Sequence, residues 1–122
     1  MKSSSVATPA GRSKPAPAPH HRVYVVELAP EVLDVARMRA ENPDHRPDRP
    51  PLYVGQTGHT PEERFAKHKA GVKANGFVRD HGLRLRPDLY EHLPPMEWKE
   101  SLHAERRLAE ALRRRGHAVW SR

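Results

Sequence analysis

PLYVGQTGHTPEERFAKHKAG, residues 51–71, opens as a strand and closes as a capped helix. LYVGQ (52–56) combines β-branched and aromatic residues, and its alternation puts Tyr53 and Gly55 on one face. A glycine there leaves a gap in a pleated surface, where a backbone or a phosphate can come close. Thr60 then reads as a helix cap, with Pro61 at the first helical position, Glu63 completing a capping box and Gly71 ending the helix. Arg64 and His68 stand one turn apart on that helix and share a face. Phe65 and Val72 are the residues expected to anchor it, which leaves Arg64 to turn toward Tyr53 and the gap at Gly55.

Upstream, VYVVEL (23–28) reads as a first strand with Tyr24, Val26 and Leu28 on one face. Between the two strands, EVLDVARMRA suits a short helix and ENPDHRPDRPP a proline-broken loop. Downstream, NGFVRDHG is at most a short helical segment, and LYEHL (89–93), closed by Pro94 and Pro95, reads as a third strand. A long helix is expected from about Glu97 to Arg115, stopping at Gly116. On that helix Trp98, Leu102, Ala109 and Leu112 form an apolar stripe flanked by Leu108, while Arg106, Arg107, Glu110 and Arg114 point elsewhere. Glu105 sits in the middle of the stripe. An ionised carboxylate facing a core costs several kcal/mol unless a cation meets it. Glu105 is therefore either half of a structural ion pair with a buried arginine, or a metal ligand or catalytic carboxylate.

The chain of 122 residues has room for one modest core, with 36% hydrophobic and 30% charged residues. The absence of cysteine excludes disulfides and cysteine-ligated metals. Nine histidines invite a zinc site, yet no pair has a ligand spacing matched by a partner pair. No apolar run approaches the roughly 18 residues of a spanning helix, and no hydrophobic signal segment opens the chain, so no membrane partner and a cytoplasmic location are expected. Residues 1–22 carry four basic side chains and no acidic one, and residues 60–122 carry fourteen against nine, within a net charge of +7. Such an excess favours polyanions through counterion release. Residues 1–21, rich in Pro, Ala and Ser, read as a disordered basic tail, with His20 and His21 incidental to the domain at 22–122.

Together, RVY (22–24), YVG (53–55), Arg64 eleven residues after Tyr53, His68 one turn later and Glu105 in a late helix resemble the GIY-YIG nuclease superfamily. The resemblance covers roughly residues 22–115; YVGQT followed by TPEERF is its most specific part. Arg22 stands where the family has the leading glycine. Residues 29–51 look like an insertion in the first hairpin, because Tyr53 comes 29 positions after Tyr24. No counterpart is found for the asparagine some members carry after the glutamate.

The resemblance implies an α+β fold, a small three-stranded antiparallel sheet flanked by helices. It also implies metal-dependent hydrolysis of phosphodiester bonds in nucleic acid, DNA ahead of RNA, with one Mg²⁺ or Mn²⁺ ion. Glu105 would hold the ion and Arg64 the scissile phosphate. Tyr24 would act as general base, exchangeable with Tyr53, and His68 would help to take the proton. Gly55 and Gln56 would contact substrate, or Gln56 would only close the strand. Glu105, Arg64, His68, Tyr24 and Tyr53 should meet on one concave surface. The alternative is a module of the same fold that binds nucleic acid with little or no turnover; a purely structural or protein-interaction domain is a third reading.

Overall fold

The computed structural model describes residues 18–121, so most of the expected basic tail lies outside the described residues. The strand β1 (Arg22–Leu28) pairs antiparallel with β2 (Leu52–Thr57), with Tyr24 opposite Gly55 and Val26 opposite Tyr53. Val23, Tyr24, Val25 and Val26 are each at most 2% exposed. A run buried on both faces needs continuous apolar residues rather than alternation, and VYVV supplies them. The fold reaches back beyond β1: His21 exchanges backbone hydrogen bonds of 2.9 and 2.8 Å with Met96. His21 is thus part of the folded domain and not of a tail.

The sheet has four strands in the order β3-β1-β2-β4 and is mixed, where three antiparallel strands were expected. The third strand is β3 (Gly82–Leu85), antiparallel to β1, and not 89–93. Its Arg84 meets Glu27 of β1 at 2.7 Å, a cross-strand pair of opposite charges. Pro87 then fixes φ and offers no N–H, and residues Pro87–Leu89 coil into a 3-10 turn, which leaves LYEHL in turns. The fourth strand, β4 (Val119–Ser121), runs parallel to β2. Three residues are too few for a period to register in sequence.

Residues 29–51 are not a loose excursion. They form a 3-10 turn (Pro30–Asp34) and a helix α1 (Ala36–Glu41), burying Val32 and Met38 completely. The proposed single short helix is therefore split at Val35, which adopts extended backbone between the two pieces. Asn42, at the end of α1, clamps β4: its Oδ1 accepts from the Val119 N–H at 2.8 Å and its Nδ2 donates to the Val119 carbonyl at 3.0 Å.

Helix α2 (Pro61–Lys69) has the expected Thr60–Glu63 capping box, and Gly71 follows it with φ of 84°. Phe65 packs on the core, but Val72 is 50% exposed and anchors nothing. Helix α3 (Gly76–His81) is capped by Asn75, whose Oδ1 accepts from the Phe77 N–H at 2.9 Å.

Helix α4 (Trp98–Arg114) ends at Gly116, which takes a φ of 98°. Its expected stripe is a gradient: exposure falls from 52% at Trp98 to 8% at Glu105, 1% at Ala109 and 0% at Leu112. Of the stripe, Ala109 and Leu112 face the core, and Ser101 and Ala104 beside it are buried as well. At its N-terminal end the stripe, at Trp98 and Leu102, borders a cleft instead. No helix among the described residues is long and apolar enough to cross a membrane.

Candidate active site

A cleft of about 420 Å³ lies where β1, β2, α2 and α4 meet. Tyr24, Tyr53, Gln56, Arg64 and Glu105 line it together with Trp98, Leu102, Arg106 and Ser121. Five residues singled out in sequence therefore meet on one surface, although 81 positions separate Tyr24 from Glu105. Glu105 stands where the α4 stripe passes from core to cleft, which accounts for a carboxylate in an apolar pattern.

Gly55 has a different task from the one expected. A Cβ there would come within 2.8 Å of both Tyr24 Oη and Tyr53 Cε2. The two tyrosine rings fill the gap, so it is not open to a ligand. Gly55 is needed because its partner in register, Tyr24, lies across it. The rings of Tyr24, Tyr53 and His68 form a cluster, with centroids 5.9 to 6.3 Å apart.

His68 does not line the cleft. It is 1% exposed, behind Tyr24. Its Nδ1 accepts a hydrogen bond from the Asn75 backbone N–H at 3.0 Å. Burial, aided by the nearby Arg64 cation, lowers its pKa to about 4, so the ring is neutral at pH 7. A neutral imidazole whose Nδ1 accepts must carry its proton on Nε2. Nε2–H then donates to Tyr24 Oη, 2.9 Å away. His68 is thus a donor to Tyr24, not an acceptor of its proton as expected from sequence. Asn75 was missed: an Asn before a short helix signals a cap, but nothing in sequence tells that its own N–H sets the tautomer of a histidine seven residues earlier.

Tyr24 is itself buried, and burial raises its pKa well above that of a free phenol; neighbouring Tyr53 adds to the rise and Arg64 opposes it. Tyr24 is therefore a neutral phenol at physiological pH. Arg64 is half-buried and held by the loop after α2, with Nη2 donating to the Lys73 carbonyl at 2.7 Å and Nη1 to that of Val72 at 3.3 Å. Lys73 has a φ of 46°, a left-handed turn that aims this loop's carbonyls back at the guanidinium. The guanidinium also hydrogen-bonds the Tyr24 side chain and lines the cleft beside it. Gln56 is held from behind, its Oε1 accepting from His21 Nδ1 at 3.2 Å.

Among the described residues no three His, Cys, Asp or Glu side chains gather into a metal cage. Glu105 offers one carboxylate beside an open cleft. Such a donor set suits Mg²⁺, which keeps several waters and commonly binds one or two carboxylates together with substrate phosphate. Trp98 and Arg106 also escaped the sequence reading, one assigned to the core and the other to bulk solvent; both border the cleft. Compared with family models, curated proteins and solved structures, the chain matches none.

Proposed function

We propose that the protein is a metal-dependent endonuclease of the GIY-YIG type, hydrolysing phosphodiester bonds in DNA or RNA. The observation that carries this reading is the meeting of Tyr24, Tyr53, Arg64 and Glu105, from four separate elements, in one cleft. Arg64 binds the scissile phosphate, its planar fork donating to two oxygens at once. Its loop carbonyls fix the fork before substrate arrives, which favours stabilisation of developing charge. Glu105 holds the divalent ion, which supplies neutralisation of charge on the leaving oxygen.

Tyr24 receives the proton of the attacking water as its phenolate, the phenol's own proton having first passed to solvent. Burial opposes this, since it favours the neutral phenol. Two neighbours act the other way: Arg64 by its charge, and His68 by the hydrogen bond from Nε2–H into the phenol oxygen. Tyr24 therefore becomes a better base as pH rises, and log kcat/KM should climb on the alkaline side of neutrality.

The same burial of Tyr24 favours the second reading, a module of this fold that binds nucleic acid without turnover. One experiment separates them: the full chain incubated with single-stranded and duplex DNA and RNA, with Mg²⁺ or Mn²⁺ and with chelator. The enzyme reading expects cleavage only with the ion. Binding without cleavage at any pH or ion supports the module, and no binding at all removes both.

A further inference from the structure

The half-exposed indole of Trp98 sits at the first position of the 17-residue α4, on the lip of the cleft. Its backbone is fixed, because its carbonyl accepts from Ser101 Oγ at 2.6 Å. On the other side of Arg64 and Gln56 lies a second cleft of about 360 Å³, and these two residues line both. His21, His59, Lys67 and Lys73 border the second cleft, and no acidic side chain does among the described residues. The order across the surface is thus an aromatic face, a carboxylate with an arginine, and a hollow whose charged side chains are all basic.

We propose, resting on the nuclease reading above, that the substrate is gripped as a single strand, with one base stacked on Trp98 and the backbone beyond the scissile phosphate seated in the basic cleft. The arginine and the glutamine at the divide then contact the strand as it passes from one cleft to the other. A base can lie flat on an indole only when it is unpaired and unstacked, as in a single strand, a flap or a loop. The interior of a duplex offers phosphates to the basic cleft but no base face to Trp98. The arrangement therefore selects unpaired nucleic acid over duplex, without reading sequence, because every base has a π-face.

The test measures binding of the full chain to a short oligodeoxynucleotide, alone and as a blunt duplex, in chelator so that no turnover intervenes. The single strand should bind more tightly and quench tryptophan fluorescence. Trp98→Ala should weaken single-strand binding by about tenfold, more than it weakens duplex binding, and Trp98→Phe should recover most of the loss. Lys67→Ala combined with Lys73→Ala should flatten the slope of log affinity against log salt by about 1.4, two single-strand phosphate contacts. Equal affinity for the two forms, or a Trp98→Ala protein that binds the single strand as well as the parent, overturns the proposal. Metal-dependent cleavage alongside either result leaves the nuclease reading standing; failure to bind either form fells both.

Discussion

Tyr24 is the residue on which the site turns, and three neighbours define it: Gly55 beneath, His68 behind and Arg64 beside. Gly55→Ala forces the Tyr24 and Tyr53 rings apart, because neither ring can yield without displacing the other. Overpacking of this kind costs about 1–3 kcal/mol, measurable as a lower urea midpoint with an unchanged m-value. Cleavage should fall with it, since both hydroxyls move. Tyr24→Phe isolates the proton from the shape. It keeps the ring over Gly55, so nucleic-acid affinity should barely change while cleavage drops by orders of magnitude. Arg64→Ala should instead weaken binding by about 1–3 kcal/mol, the usual consequence of deleting a charged hydrogen-bonding partner. A Tyr24→Phe protein of undiminished turnover passes the base to another residue, with Tyr53 next in reach.

At the level of elements, β4 depends on a side chain from the far end of the 29–51 segment. Asn42 bonds both the N–H and the carbonyl of Val119 and also accepts from Arg113 Nε at 3.1 Å. Asn42→Ala leaves the buried Val119 N–H without this acceptor, at a loss of about 1–3 kcal/mol. Amide exchange should rise first in β4 and at its β2 neighbours, while β1 stays protected; uniform exchange across the sheet would contradict this dependence. The elements differ in how far sequence disclosed them. The strands β1 and β2, helix α2 with its capping box and the Gly116 stop of α4 were legible because local chemistry decides them. The Leu-Arg alternation of β3 and the three residues of β4 were not, since pairing with β1 and β2 alone makes them strands. At the site, the apolar stripe singled out Glu105 and helical spacing Arg64, whereas Tyr24 entered through the resemblance of RVY. Which way His68 hands its proton depends on a backbone N–H from another helix, and Trp98 fits the apolar stripe until the core beneath it ends.

Over the whole molecule, two buried histidines make stability depend on acid. Burial lowers the pKa of His68 to about 4, and it also lowers that of His117, whose Nδ1 bonds the Pro50 carbonyl at 2.8 Å. The unfolded chain takes up these protons near the ordinary histidine pKa of about 6.5, where the folded chain does not. Their stabilisation is therefore complete above that pH and is lost as pH falls toward 4, with His68 contributing on the order of 3 kcal/mol. Denaturation midpoints should decline through this window, and His68→Gln should make the decline shallower. A midpoint constant from pH 7 to pH 4 would mean these rings are solvated. The central claim, that the cleft hydrolyses phosphodiesters with an ion held by Glu105, is met most directly by comparing Glu105→Gln with the parent in thermal unfolding and in Mg²⁺-dependent cleavage on the same preparation. The Glu105→Gln protein should fold, because an amide at the core-to-cleft boundary is no worse to bury than a carboxylate, with cleavage reduced by orders of magnitude. A Glu105→Gln protein that cleaves as well as the parent would take the ion away from Glu105, and one that fails to fold would make this carboxylate a structural support.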